Sequence, residues 1–157
     1  MVLKSMSEIY EECRRSGLPF WEVILRYDMD DRQVTREESI GKMLITWQAM
    51  QDASDSYTGT RKSVSGMVGG EGMRMKQYNL RGNGLCSGYI GEVMAEALCM
   101  AESNACMRRI VACPTAGSCG VMPAVLLPLM RREDITQKQI IEAFYVACGV
   151  GMVIADR

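Results

Sequence analysis

The chain has 157 residues, of which 48% are hydrophobic and 24% charged, and this is enough for one domain with its own core. A formal net charge of −1 gives no electrostatic argument for binding nucleic acid or an anionic membrane. Histidine is absent, which excludes serine–histidine and cysteine–histidine nucleophile pairs, histidine general bases and histidine metal sites.

Three helices are predicted in the N-terminal third. Ser5-x-x-Glu8 forms a capping box for a first helix that stops near Gly17, and Pro19 opens the second. Thr35-x-x-Glu38 is another capping box and begins a run with apolar residues at steps of three and four. The acidic segment Asp28–Asp31 has no calcium-loop spacing and is expected to be a solvated loop between helices.

The composition changes at Gly59, because nine of the fifteen glycines fall between Gly59 and Gly91. No Gly-Lys-Ser/Thr follows, and no strand precedes a helix there, so neither a P-loop nor a dinucleotide fingerprint is indicated. This glycine-rich loop 59–91 is either a flexible connector or a ligand-facing loop. The charged and apolar residues embedded in it favour the second interpretation.

A long helix is predicted next, capped by Ser87 and ending near Ala105, with Arg108 and Arg109 placed to satisfy its last carbonyl groups. The turn PTAGSCG (114–120) follows. Pro114 ends any preceding helix, and Pro123 suits the first turn of the next one. Glycines between them allow backbone amides to form an anion-binding hollow, so the segment is either a tight interhelical turn or a ligand loop.

Two further helices complete the chain. One covers Val121–Arg131 and contains Pro128; the other begins at a Thr136-x-x-Gln139 capping box and ends near Ile154. No segment supports a sheet. The sequence therefore predicts an all-α fold, a single helical domain of about six helices with glycine-rich connecting loops.

The apolar stripe of the last helix ends without a glycine cap or polar tail, which favours a truncated polypeptide. Exposure of that stripe also predicts association, and a homo-oligomer is one outcome. The longest candidate, Ala124–Met130, is interrupted by Pro128 and is far shorter than the roughly 20 residues that cross a bilayer. The acidic residues near the N-terminus do not suit a signal peptide, so no membrane contact and a cytoplasmic location are expected.

Seven cysteines, an odd number, argue against a disulfide framework, and no C-x2-C pair indicates a zinc or ferredoxin-type site. Cys99, Cys106 and Cys113 are seven residues apart. This spacing admits a metal site, but it also returns to one helix face, and we favour buried packing for all three. For Cys113 and Cys119, which flank the turn, absence of ligation is also favoured.

Three segments occur in an order and spacing typical of one enzyme family: SGMVGGEGMRMKQY (65–78), SGYIGEVMAEALCMAESNACMRRIVAC (87–113) and PTAGSCGVMPAVLL (114–127). With them the chain resembles the α chain, or catalytic domain, of iron–sulfur-dependent L-serine dehydratases from about Ser63 to its last residue. Where many relatives have PTNGAAG, this chain has PTAGSCG. In that family the cluster-binding cysteines lie downstream of the segment at which this chain stops.

The resemblance implies deamination of L-serine to pyruvate and ammonia by β-elimination, assisted by a 4Fe-4S cluster in the intact enzyme. It also implies that this piece holds no complete cluster, is inactive alone and works with a β subunit. Related chemistry on cysteine or threonine remains an alternative. A non-catalytic all-α interaction module is the alternative from another class of protein.

The same resemblance and the paired small-residue loops suggest where the substrate binds. Two loops are expected to line the pocket and grip the substrate carboxylate; their residues are Ser65, Gly66, Gly69, Gly70, Thr115, Gly117 and Ser118. Lys62 is a candidate for the carboxylate contact or the catalytic base, against the alternative of a solvated surface lysine. Glu71 is the second candidate base.

Overall fold

The structure, a computed structural model, describes residues 3–82, 84–86, 88–113, 115–132 and 135–155. Within these ranges the secondary structure is helical and contains no β-strand, which confirms the all-α prediction. Seven α-helices and one short 3-10 helix (Ala116–Ser118) are present there, close to the six expected. The α-helices are α1 (Met6–Ser16), α2 (Phe20–Arg32), α3 (Arg36–Asp55), α4 (Glu71–Leu80), α5 (Gly88–Ala105), α6 (Val121–Arg132) and α7 (Gln137–Ala155).

Side-chain caps fix several helix starts where the sequence predicted them. Ser5 accepts the Glu8 amide at 3.2 Å while Glu8 accepts the Ser5 amide, and Gly17 ends α1 in the left-handed region. The Thr35/Glu38 and Thr136/Gln139 pairs make the same reciprocal bonds. Each cap satisfies amides that the first helical turn leaves without a partner. Ser87, expected to cap a helix, and Pro114, expected to end one, lie outside the described residues.

Two expectations about loops are wrong. Asp28–Asp31 belongs to α2 instead of a loop, because Asp28 pairs with Arg32 one turn later at 2.9 Å and accepts the Ser39 hydroxyl at 2.6 Å. The glycine-rich loop 59–91 is interrupted by α4, a ten-residue helix that the sequence pattern did not indicate. The N-cap residue Gly70 provides no side-chain cap for α4. The amides of Gly70 and Gly72 instead donate to Glu102 of another helix.

The chain forms two compact units, described separately. The first consists of Met1–Ile45 and Thr136–Arg157, where α2 packs against α1 and α7. Gly149 of α7 allows close packing on α2, because a Cβ there would lie 2.7 Å from the Ile24 side chain. Arg36 donates two hydrogen bonds to Glu22, which is 8% exposed.

The second unit, Thr46–Ile135, contains α4, α5 and α6, and α5 packs against both of the others. The approach of α4 to α5 depends on Gly72, where a Cβ would lie 2.6 Å from the Cys99 sulfur. Pro128 lies inside α6 and is fully buried, in agreement with the expected helix. This unit contains all of the candidate site residues.

Helix α7 corrects the expectation about apolar runs. By length and composition alone it is apolar enough to cross a membrane, so Ala124–Met130 is not the longest candidate. A third of that window is buried within the protein, and Ile140, Ile141 and Phe144 are among its buried residues. Helix α7 packs against α2.

Candidate functional site

A buried carboxylate organises the glycine-rich loop. Glu102, in the last turn of α5, is only 4% exposed. Its Oε1 accepts the Gly72 amide at 2.6 Å, and its Oε2 accepts the Gly70 amide at 2.9 Å and the Tyr57 hydroxyl at 2.6 Å. Tyr57 in turn accepts the Met73 amide at 3.1 Å. Together these bonds satisfy amides at the start of α4 that have no partner within the helix.

Glu102 therefore stabilises α4 from another helix. The N-terminus of a helix carries partial positive charge and free N–H donors, and an anion there is favourable. Here the anion is a side chain of the same protein. Of the amides expected to grip a substrate carboxylate, Gly70 donates to Glu102, and Gly69 donates to Glu71 at 2.7 Å.

The segment before α4 is a closed loop. The Ser63 amide donates to the Val68 carbonyl at 2.9 Å, the Gly66 amide donates to the Ser63 carbonyl at 2.8 Å, and the hydroxyls of Ser63 and Ser65 lie 3.1 Å apart. Gly69 has a φ of +145°, and a Cβ there would lie 3.0 Å from the Lys62 Cα. This close approach places the Lys62 backbone beside Gly69, while the Lys62 side chain is exposed.

Glu71 is held as a carboxylate. Its pKa falls to about 2, mainly because it accepts the Gly69 amide, with further lowering from its own backbone amide, Glu102 and Arg74. The Arg74 guanidinium lies 2.6 Å from it. A general base works best with a pKa near the operating pH, so Glu71 is weakly basic in this arrangement.

The turn after α5 is ordered by its own hydroxyls. Thr115 caps the short helix Ala116–Ser118: its Oγ1 accepts the Ser118 amide at 3.3 Å. The Ser118 hydroxyl accepts the Thr115 amide and donates to the Cys113 carbonyl, both at 3.1 Å. Thr115 and Gly117 are exposed and can contact a ligand.

Both loops are attached to the last turn of α5. Glu102 holds the glycine-rich loop, and the Asn104 side-chain amide donates to the Ala116 carbonyl at 3.0 Å. Glu102 and Asn104 are two positions apart, so their side chains point to different sides of α5. Among the described residues, no hydrogen bond joins the two loops. The structure thus forms two groups from the predicted site residues: Lys62, Ser65, Gly66, Gly69, Gly70 and Glu71 in one, and Thr115, Gly117 and Ser118 in the other.

The cysteines occupy separate environments. Helix α5 ends at Ala105, so Cys99, Cys106 and Cys113 do not share one helix face, and only Cys99 of the three is buried, which corrects the expectation for the other two. Burial raises the pKa of the thiols of Cys99, Cys113 and Cys119, which disfavours the thiolate that binds metals. Across the described ranges, no three Cys, Asp or Glu residues are grouped to hold a metal ion. These residues do not fit a 4Fe-4S cluster, which needs converging thiolates.

Sequence reasoning missed Glu102, Tyr57 and Glu96. Glu96, 1% exposed, accepts the Ser54 hydroxyl and lies 3.2 Å from Arg131. A signal was available: both glutamates lie in a largely apolar stretch of α5, and acidic residues are rarely buried without a partner. The partners could not be identified from the pattern, because they lie up to 45 residues away.

Comparison with known proteins gives a consistent result. The sequence model of the family described as "Serine dehydratase alpha chain" matches residues 15–157. The chain is similar to the L-serine dehydratase alpha chain of Peptoniphilus asaccharolyticus, with 30% identity over 155 residues that cover 98% of this chain and 53% of that protein. It is also similar to the probable L-serine dehydratase alpha chain of Bacillus subtilis (strain 168), with 26% identity over 156 residues, 99% of this chain and 52% of that protein. The chain spans about half the length of these curated relatives, and no solved structure gives a significant match.

Proposed function

The chain belongs to the serine dehydratase alpha-chain family, and from this premise we propose that it is part of a lyase that deaminates L-serine to pyruvate and ammonia. The observation that carries the proposal is the family match over residues 15–157, which includes both loops. The proposed reaction is a β-elimination: the Cα proton leaves, the β-hydroxyl leaves as water, and the aminoacrylate hydrolyses to the two products.

The turn Thr115–Ser118 is the proposed substrate-binding element. Thr115 and Gly117 are exposed, and the internal hydroxyl network fixes the turn before any ligand arrives. A rigid loop loses little conformational freedom on binding, which favours affinity. The glycine-rich loop, held by Glu102 through the Gly70 amide, is the proposed second wall, and its residues Ser65 and Gly66 are exposed.

Lys62 is the better of the two candidate bases. Its side chain is exposed beside Gly69, whereas Glu71 is held as a carboxylate of low basicity by the Gly69 amide. A surface lysine without a catalytic role is the alternative. A change of Lys62 to Gln that leaves turnover and its pH profile unaltered would support that alternative.

We also propose that the intact enzyme acts in the cytoplasm with a β subunit and with a 4Fe-4S cluster held by cysteines outside this chain. The described residues of this chain do not form such a site. The isolated 157-residue chain is expected to be inactive.

The test is pyruvate formation from L-serine by the full-length protein with its partner subunit, after anaerobic reconstitution with iron and sulfide. L-threonine and L-cysteine serve as competing substrates. Pyruvate formation that requires iron and stops on exposure to air is the expected result. Absence of turnover with L-serine by a fully reconstituted protein would overturn the proposal, and faster turnover of threonine or cysteine would reassign the substrate.

A further inference from the structure

Three arginines line one cleft in the second unit. Arg61, Arg108 and Arg109 border a space of about 340 Å³, together with Asp52, Ala53 and Ser56. The ion pairs found among the described residues involve other cations, so these three guanidinium groups are unpaired there. The cleft therefore concentrates positive charge in a protein whose net charge is −1.

Backbone geometry places these arginines. Helix α5 ends in a reversal in which Met107 has a φ of +56° and the Arg108 amide donates to the Ser103 carbonyl at 2.9 Å. This six-to-one bond is typical of a helix C-terminus and turns Arg108 back alongside the helix. Arg61 is placed from the other side, because its backbone lies against Gly69.

A narrow recess opens beside this cleft. Arg61 and Arg108 line it as well, with Tyr57, Glu102 and Ser103, and its volume is about 10 Å³. Ser103 is 1% exposed, and its hydroxyl has no hydrogen-bond partner among the described residues. Buried hydroxyls are nearly always hydrogen-bonded, so the Ser103 hydroxyl is free to bond a ligand oxygen or a water molecule in this recess.

We propose that this arginine cleft, with Arg61, Arg108 and Arg109, and the recess beside it, with Ser103, together bind a small oxyanion. Carboxylate and phosphate share the chemistry that would be recognised. Guanidinium groups present planar pairs of donors that match two oxygens at once, and Ser103 adds a hydroxyl donor. The recess has room for about one water-sized atom, so it accepts a single oxygen of the anion.

The acidic residues nearby neutralise the positive charge of the cleft only in part. Asp52 accepts a hydrogen bond from Gln48 at 2.9 Å, and both oxygens of Glu102 are engaged by Tyr57 and two backbone amides. Three arginines and two acidic residues line the cleft and its recess, and both carboxylates already accept hydrogen bonds from other groups. The cleft retains an excess of positive charge and of free N–H donors.

The test is calorimetric titration of inorganic phosphate into the protein at low ionic strength. We expect saturable binding that weakens about tenfold or more in Arg108→Gln and in Arg61→Gln, because each loses charge-assisted hydrogen bonds. Arg14→Gln is the matched control, since Arg14 is an exposed arginine of α1 outside the cleft. It is expected to bind phosphate as the wild type does.

Ser103→Ala separates binding from folding. Removing a buried hydroxyl without a partner is expected to leave the thermal midpoint unchanged or higher, while phosphate binding weakens several-fold. Arg109→Gln, at an exposed position, provides a second charge variant with little risk to folding. The proposal is overturned if the wild type does not bind phosphate, or if the cleft variants bind it as tightly as Arg14→Gln.

Competition identifies the source of the anion. If L-serine displaces phosphate, the cleft holds the carboxylate of the amino acid; if phosphate binds unchanged at saturating L-serine, the cleft is a separate anion site. Both outcomes require the oxyanion chemistry proposed here. Phosphate binding is measured without turnover, so its result is independent of whether the protein deaminates L-serine.

Discussion

The carboxylate of Glu102 accepts the backbone amide of Gly72 at 2.6 Å, although the two residues are 30 positions apart in the chain. This bond and the one from Gly70 put a negative charge at the start of α4. The conformation of the glycine-rich loop is therefore governed by a side chain on α5. An open hollow for a substrate carboxylate, expected at this loop, is instead partly occupied by the protein itself.

Glu102→Gln is expected to destabilise the protein. Glutamine has the same size, but one of its two oxygens is replaced by a donor that faces the donors of Gly70 and Tyr57. Loss of hydrogen bonds to a charged group costs about 1.5–3 kcal/mol, measurable as a lower free energy of unfolding. Amide hydrogen exchange should accelerate at Gly70 and Gly72. Glu11→Gln, at an exposed position of α1, is the control; equal exchange in both variants would contradict this role of Glu102.

Stability is expected to fall at alkaline pH because of Tyr57. The pKa of its hydroxyl is raised above the ordinary value of 10.0, first by burial and then by the hydrogen bond to Glu102. The unfolded chain loses this proton more readily than the folded one. The contribution of Tyr57 to the free energy of unfolding is therefore complete below pH 10.0 and is lost as the pH rises above it. Denaturant unfolding between about pH 8 and 11 measures the slope.

Tyr57→Phe should reduce that slope. A residual slope is expected, since burial also raises the pKa of Tyr145. Tyr10→Phe removes an exposed hydroxyl of α1 and should keep the wild-type slope. If Tyr57→Phe follows the wild type throughout, the Tyr57–Glu102 bond does not contribute as described.

At acidic pH, stability is expected to fall because of Glu22. Hydrogen bonds from Arg36 are the main reason that its pKa lies below the ordinary value of 4.5. The stabilisation is therefore present above pH 4.5 and is lost as the pH falls below it. Thermal midpoints between about pH 7 and 3 should fall less steeply in Glu22→Gln than in the wild type. Parallel curves for the two proteins would argue against the pairing.

Two glycine substitutions should have opposite effects. Gly72→Ala places a methyl group 2.6 Å from the Cys99 sulfur and is expected to destabilise the protein by about 1–3 kcal/mol. Gly41→Ala, inside α3, meets no atom within 4 Å and should stabilise the helix by about 0.5–1 kcal/mol. Chemical denaturation compares them directly. A neutral Gly72→Ala would mean that α4 does not pack on α5 this closely.

Thr115→Val tests the substrate turn. Loss of the hydroxyl removes the cap of the short helix and any contact with the substrate, so the apparent KM for L-serine should rise strongly. Thr115→Ser keeps the hydroxyl and should stay near the wild type. An unchanged KM in Thr115→Val, in a protein that still turns over L-serine, would remove Thr115 from the proposed substrate site.

Local signals were sufficient for most helices. The capping boxes at Ser5, Thr35 and Thr136 join residues that are three positions apart, and the amides they satisfy belong to the same helical turn. Such caps can therefore be predicted from a few neighbouring residues of the sequence. The Thr115–Ser118 turn was located for the same reason. Asp28–Asp31 was misjudged although the Asp28–Arg32 pair is a local helix signal; the bond from Ser39 comes from the next helix and could not be predicted from the pattern.

Sequence patterns thus fixed the helical class, the family resemblance and the two loops, since each depends on residue types at short spacing. The tertiary structure decided how those loops are held. Helix α4 is capped by Glu102 from 30 residues away, and the arginine cleft brings together Arg61 and Arg108, which are 47 positions apart in the chain. Burial and charge pairing are properties of residues that are close in space, and their distance along the chain hides them from any local pattern.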